Sequence, residues 1–299
     1  MKQEQRVPSV LGAVLVVLST CGMAEGFAAG HEPAAGSLPT GSPSALSVPA
    51  LQPSAPPADA NEPEEVNNGQ DFTRPVRRLD FRYQYQQPDE GLESNLFTVR
   101  MDWPITLSQD WKLSTRLDVP LIYGDAPSLD NPDGGYELGT GAILGQALLI
   151  HPLNKEVALA GGLQVLLPTE SQDQFGSGSL RLLPSFAVRY APEALPAGWW
   201  MALLVRYDFD VWKRDGREST SDFDIQPVFN LALPDRWFAT FAPEIKYSFI
   251  ENDWFIPFDV TIGKMVTPTI ICSVEFKHEL YNEYAQYDWA VEFRIGFFF

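Results

Sequence analysis

Cysteine is nearly absent from the chain. Only Cys21 and Cys272 occur in 299 residues. Cys21 lies in an N-terminal apolar stretch, so Cys272 is left alone, which excludes an intramolecular disulfide framework and argues against a structural zinc site. Histidine is almost as scarce, with His31, His151 and His278. Basic side chains are outnumbered, 21 Lys and Arg against 39 Asp and Glu, for a formal net charge of −18. Phosphate binding needs a basic face, so nucleic acid is not an expected partner. Beyond the N-terminus no segment has the predominantly apolar run of ~20 residues that a spanning helix requires. Any membrane insertion would therefore be as a β-barrel.

What is present begins with "MKQEQR" and then "VPSVLGAVLVVLSTCGMA". A short charged region, an apolar stretch and small residues near Ala24 read as a signal peptide over 1–24. An uncleaved anchor is the alternative, although the apolar run is short for one. A lipoprotein is another, weakened because Thr20 precedes Cys21 where Gly, Ala or Ser is usual. Residues 25–75 follow, and most of that stretch is rich in Pro, Ala and Ser and poor in aromatics. Such a composition cannot bury enough surface to fold, so it reads as a disordered tether on the periplasmic side.

The chain ends in "DWAVEFRIGFFF". Trp289, Val291, Phe293, Ile295, Phe297 and Phe299 share one face of a strand, and Ala290, Glu292, Arg294, Gly296 and Phe298 the other. Such a strand needs an apolar medium on one side and a polar one on the other. A soluble barrel or sandwich and an outer-membrane barrel both provide this.

The same alternation recurs upstream. Phe97, Val99, Met101 and Trp103 share a face in "LFTVRMDWPI", with Arg100 and Asp102 on the reverse. Further segments, "VRRLDFRYQYQ", "WKLSTRLDVPLIY" and those over roughly 137–151, 156–168, 179–191, 199–211, 223–233, 237–250, 254–266 and 269–281, bring the expected total to about twelve strands. Long connections mostly alternate with short turns, as in outer-membrane barrels. The eight tryptophans fall near strand ends: Trp103, Trp111, Trp199, Trp200 and Trp237 at the inner rim, and Trp212, Trp254 and Trp289 at the outer. Indole is stable at the headgroup level, so two such belts bracket a bilayer. The expected fold is all-β, a transmembrane antiparallel up-and-down barrel over 76–299 in the outer membrane of a Gram-negative-type cell. Its partners would be outer-membrane lipid and lipopolysaccharide.

The alternate apolar residues Phe293, Ile295, Phe297 and Phe299 resemble the C-terminal signal recognised by the barrel-assembly machinery, which would be a further partner. A lipid-facing strand alone would also account for them.

Catalytic constellations are lacking. Neither "LIHPLN" nor "EFKHELY" places a serine near its histidine, as a nucleophilic hydrolase would require. His278 with Glu279, Glu283 and Asp288 could form a carboxylate and histidine cluster at the mouth, but a solvated rim histidine is the commoner arrangement. No Gly-rich phosphate cradle and no metal-ligand cluster occurs, so neither cofactor nor metal is expected.

Charge does recur on the inward face. Arg82, Arg100, Asp102, Arg116, Asp118, Arg206, Asp208, Glu244, Lys246, Glu275, Lys277, Glu292 and Arg294 are the expected lumen-lining residues. They could line a water-filled pathway of both signs or close the lumen with buried ion pairs. Acidic residues crowd the outer loops, Glu93, Asp125, Glu170, Asp173, Glu251 and Asp253 among them, and would enrich cations at low salt.

Two segments carry a resemblance. "LIYGDAPSLDNPDGGYELGTGAILGQALL" and "VALAGGLQVLLPTESQDQFGSGSLRLLPSFAVRY" resemble the outer-membrane barrels grouped as the MetA-pathway-of-phenol-degradation, transporter-like family. Pro168, Thr169, Gly176, Gly178 and Pro184 match its pattern. Glu170 stands in place of the usual Gly, and Gln146 where an acidic residue is common. The resemblance extends over 76–299 and implies transport of small hydrophobic or aromatic compounds. The function expected is a passive outer-membrane channel for small solutes, with a barrel hydrolase or a non-conducting structural barrel as alternatives.

Overall fold

The computed structural model describes residues 67–87, 93–125, 134–282 and 287–299. The expected signal peptide and the tether up to residue 66 lie outside the described residues.

Twelve antiparallel strands follow one another around a closed wall. They are β1 (Arg78–Gln87), β2 (Ser94–Thr106), β3 (Lys112–Asp125), β4 (Tyr136–Thr140 and Ile143–Pro152), β5 (Val157–Leu167) and β6 (Ser179–Tyr190). Then come β7 (Trp200–Lys213), β8 (Ser221–Ala232), β9 (Trp237–Phe241 and Ile245–Ser248), β10 (Asp253–Thr267), β11 (Ile270–Asn282) and β12 (Trp289–Phe298). Each strand pairs with its sequence neighbours, and β12 pairs with β1 from Arg78↔Phe298 to Gln87↔Trp289, which closes the barrel. Closure leaves no unpaired edge. Among the described residues the helical elements are two single 3-10 turns, Asp173–Phe175 and Pro234–Arg236.

The expectation of one continuous strand fails at two places, and proline is the reason at both. Pro120 of β3 has no N–H to give β4, so the ladder breaks beside it and only Gly141 N donates to Pro120 O, at 3.1 Å. Pro243 interrupts β9 between its two segments in the same way.

Burial is inverted relative to a soluble domain. Phe186 is 50% exposed, Leu203 47% and Ile262 52%, all on the outer face, whereas Asp80 is 0% exposed on the inner one. Leu117, Leu121, Phe97, Met101, Phe229 and Phe297 extend the apolar exterior around the wall. An exposed apolar surface of this extent is stable only against an apolar medium.

The aromatic belts are partly as expected. Trp103, Trp111, Trp212 and Trp254 are exposed at strand ends, with the Arg77 guanidinium 4.6 Å from the centre of the Trp103 ring and Lys264 over Trp237 at 5.5 Å. Trp200 is a correction. It opens β7 pointing into the lumen, is 4% exposed, and packs with Ala202 and Val228. The bend before β7 is responsible: Trp199 Nε1 donates to Ala232 O at 2.9 Å, which fixes that indole on β8 and puts Trp200 on the opposite parity.

Candidate functional site: the lumen

Both described ends of the chain lie at the same end of the barrel, here called the terminal end; the other is the loop end. At the terminal end many inward positions are apolar. Ile150, Ala160 and Ala187 form one buried group, Trp200, Ala202 and Val228 a second, and Phe238, Met265 and Ile271 a third, with Phe298 packed on the third.

The first two groups are joined by Phe72, which packs on both. Residues 67–75 were expected to belong to the disordered tether. They instead fold back into the terminal end of the lumen. Gly69 makes the turn with φ +68°, and a side chain there would meet Arg78 Nη1 at 2.6 Å, so both backbone and space call for glycine. Asn67 and Asn68 brace the turn by accepting from Gly69 N and Gln70 N at 2.9 and 3.0 Å. The segment is tied to the wall by three polar links. Asn68 Nδ2 donates to Asn230 Oδ1 at 3.1 Å, the Arg78 guanidinium donates to Gly69 O, and Asp71 Oδ2 lies 3.0 Å from Arg189 Nε, both of these last side chains being buried.

Above this segment the lumen becomes charged, and the charges are laid out across strands rather than along them. In one row Arg78, Asp102, Arg116, Gln146 and Gln164 stand on successive strands β1 to β5. In the next, Asp80, Arg100 and Asp118 do so on β1 to β3. Opposite charges on neighbouring strands attract across the ladder. Asp102 accepts from Arg78 Nε and, at 2.9 Å, from Arg116 Nε, while Arg100 binds both oxygens of Asp118 at 2.8 and 2.6 Å. Such fork-to-carboxylate pairs are the stronger kind of charge-assisted bond.

Asp80 is the hub. Its carboxylate lies 3.0 Å from Arg294 Nε, 3.3 Å from Arg82 Nη2 and 3.5 Å from Arg78 Nε. Gly296, directly opposite on β12, makes the room, since a Cβ there would sit 2.4 Å from Asp80 Oδ1. Across the lumen the pairs use longer side chains. Arg206 reaches Glu244 at 2.8 Å, Lys246 reaches Glu244 at 3.1 Å, and Lys277 lies 3.4 Å from Glu275 and 4.0 Å from Asp259. Arg181 and Asp208 pair on β6 and β7.

A cavity of about 280 Å³ lies in the middle of the lumen. Eight of the thirteen residues expected in the lumen line it: Arg82, Arg100, Arg116, Asp118, Arg206, Glu275, Glu292 and Arg294. Asp102, Asp208, Glu244, Lys246 and Lys277 take part in the ion pairs given above. Gly69, Gln70 and Phe72 supply part of the cavity wall, and a second cavity of about 230 Å³, lined by Thr73, Arg74, Asp110, Lys155 and Arg189, opens on the other side of the segment. The segment thus stands between the charged cavity and the terminal mouth.

The polar uncharged lining, Gln146, Gln164, Gln226, Thr240, Thr261 and Ser273, was not anticipated, nor was the part played by Asn68, Asp71 and Phe72. Phe72 carries the one signal that could have found them: it is the first aromatic after Phe27, at the point where the Pro, Ala and Ser bias stops.

The two described histidines lie away from the cavity, and Glu283 of the expected cluster around His278 lies outside the described residues. His151 stacks on Trp111 with ring centres 4.4 Å apart, and His278 Nδ1 is 2.9 Å from Asp288 O. At the loop end Thr169 Oγ1 accepts from Ile143 N at 2.9 Å and holds the 168–178 loop across the break in β4. Glu170 is buried beside Arg214, and Asp173 contacts both Arg214 and Arg217, so two of the acids expected at the mouth are offset by cations. Phe293 stacks on Tyr83, and Ile295, Phe297 and Phe299 face outward, with Phe299 6.0 Å from the Trp103 ring.

No protein-family model matches the chain, and no curated protein matches it. Solved structures do. The COG4313 outer membrane channel from Pseudomonas putida F1 superposes with a TM-score of 0.62 at 15% identity, covering 75% of this chain and 96% of that one. The NanC porin aligns with a TM-score of 0.49 at 12% identity over 74% of this chain and 98% of its own. At 15% identity the likeness to the first of these shows the fold alone, a closed antiparallel barrel like that of an outer-membrane channel.

Proposed function

We propose that the chain is a passive outer-membrane channel for small polar solutes, closed at its terminal end by its own residues 67–75. The observation that carries this reading is the charged cavity enclosed by a wall whose exterior is apolar. A barrel serving only as scaffold has no use for a lumen cavity lined by guanidiniums and carboxylates, whose burial is costly. The likeness to a known outer membrane channel supports the same reading. On this reading the terminal end faces the periplasm, and lipid and lipopolysaccharide surround the wall.

The channel is not an enzyme on this reading. His151 is bound to the Asp110 carbonyl and His278 to that of Asp288, and neither bond supplies the serine and base of a hydrolase. Aromatic hydrocarbons suit the charged middle poorly, so the solute is polar. Phe293, Ile295, Phe297 and Phe299 present the strand that the barrel-assembly machinery would engage.

Liposome swelling tests the reading. Vesicles bearing the purified barrel should swell in small polar solutes faster than protein-free vesicles, and discriminate against large ones. Swelling no faster than in empty vesicles, for every solute and also after removal of residues 67–75, would leave a non-conducting barrel.

A further inference from the structure

The cavity has a sign. Its lining carries six guanidiniums, of Arg78, Arg82, Arg100, Arg116, Arg206 and Arg294, against three carboxylates, of Asp118, Glu275 and Glu292. The acids that compensate on the arginine-rich side, Asp80 and Asp102, are 0% and 4% exposed and sit in the wall rather than on the cavity surface. On the far side Arg206 is answered by Asp224 and Glu244, neither of which lines the cavity. The cavity surface therefore presents more guanidiniums than carboxylates.

Two further features point the same way. Arg82 and Arg294 stand directly opposite on β1 and β12, a like-charge pairing that destabilises a ladder unless anions offset it. Donors also exceed acceptors there, since Arg82 Nε and Arg294 Nη1 are buried without a hydrogen-bond acceptor from the protein. Beneath the arginines the surface turns apolar, with Phe72, Leu148, Leu204 and Val228 lining the same cavity. At about 30 Å³ for each water-sized group, the volume holds on the order of ten non-hydrogen atoms.

We propose that this cavity is a binding site for a small organic carboxylate, its anionic end on Arg82, Arg100 and Arg116 and its carbon skeleton against Phe72 and Leu148. Guanidinium forks match planar carboxylates in geometry as well as charge. The proposal names the solute class of the channel reading and rests on that reading only for how the anion reaches the site.

Calorimetric titration of the full chain, folded in detergent, separates the alternatives with three probes of similar length: succinate, the neutral succinamide and the cation butane-1,4-diamine. Succinate should bind, and the other two at least tenfold more weakly. Arg82→Gln and Arg116→Gln should each lower succinate affinity about tenfold, and Arg82→Lys should lose less than Arg82→Gln, with the heat-dependent gel shift confirming that each barrel is folded. Equal binding of succinamide, preference for the diamine, or no succinate binding would overturn the site. Succinate binding in a barrel that never conducts would instead overturn the channel and keep the site, whereas conduction without succinate binding would do the reverse.

Discussion

The two parts of the lumen are held in different ways. In the middle the charged side chains belong to the wall and are matched by others of the wall, on adjacent strands in the row of Asp80, Arg100 and Asp118 and on one strand for Lys277 with Glu275. At the terminal end the filling is borrowed from a segment that precedes the barrel and is attached through Phe72, Asn68 and Asp71. Removing a wall charge leaves its partner buried and alone. Removing the segment breaks no strand pairing and, among the ion pairs given above, only that of Arg189 with Asp71. Ordering each of its residues costs about 1–2 kcal/mol, and its one large apolar side chain, Phe72, contributes roughly 1.5–3 kcal/mol on burial. A segment so balanced can leave the lumen, whereas the ladder of ion pairs cannot rearrange without breaking the sheet.

The largest effect should come from Asp80→Ala, which strands Arg294 in the wall and takes one of two carboxylates from Arg82 and from Arg78. Breaking a buried pair costs about 3–5 kcal/mol, and a sharp fall in the yield of heat-modifiable barrel is expected on gels. A yield equal to wild type would mean that the hub is dispensable. Gly296→Val is next, because it drives a side chain into the space held by Asp80 and Ile271. Overpacking of this kind costs about 1–3 kcal/mol, readable as a lower urea midpoint in lipid vesicles. Phe72→Ala should leave that midpoint within error while speeding protease cleavage within 67–75, which sharpens the contrast between wall and segment. The smallest change is expected from Asp71→Asn, which keeps its shape and its bond to Thr73 but loses charge against Arg189, and should raise the same cleavage rate only modestly. A midpoint that dropped with Phe72→Ala would show the segment to be part of the wall's stability.

The wall was legible in the sequence because lipid imposes strict alternation: the faces of the closing strand, Phe297 against Arg294 for instance, follow from spacing alone. The break in β4 was not, since a proline acts on its neighbour's ladder, as Pro120 does on Gly141, and the pairing partner is not written next to it. The apolar terminal end was hidden for another reason. Ile150, Phe238, Met265 and Ile271 occupy inward positions that alternation alone marks as polar, and only the arrival of Phe72 and the packing of Phe298 explain them. Charged lumen residues could be named one by one, but which arginines share a cavity depends on strand register, as with Arg82 opposite Arg294.

The central claim is that a conducting lumen is closed by a removable segment of the same chain. Single-channel recording in planar bilayers tests it directly, comparing the full chain with a variant lacking residues 67–75. The account predicts small or intermittent currents from the full chain and a steady conductance several-fold larger from the variant. Equal conductance in the two, or none in either, would contradict it.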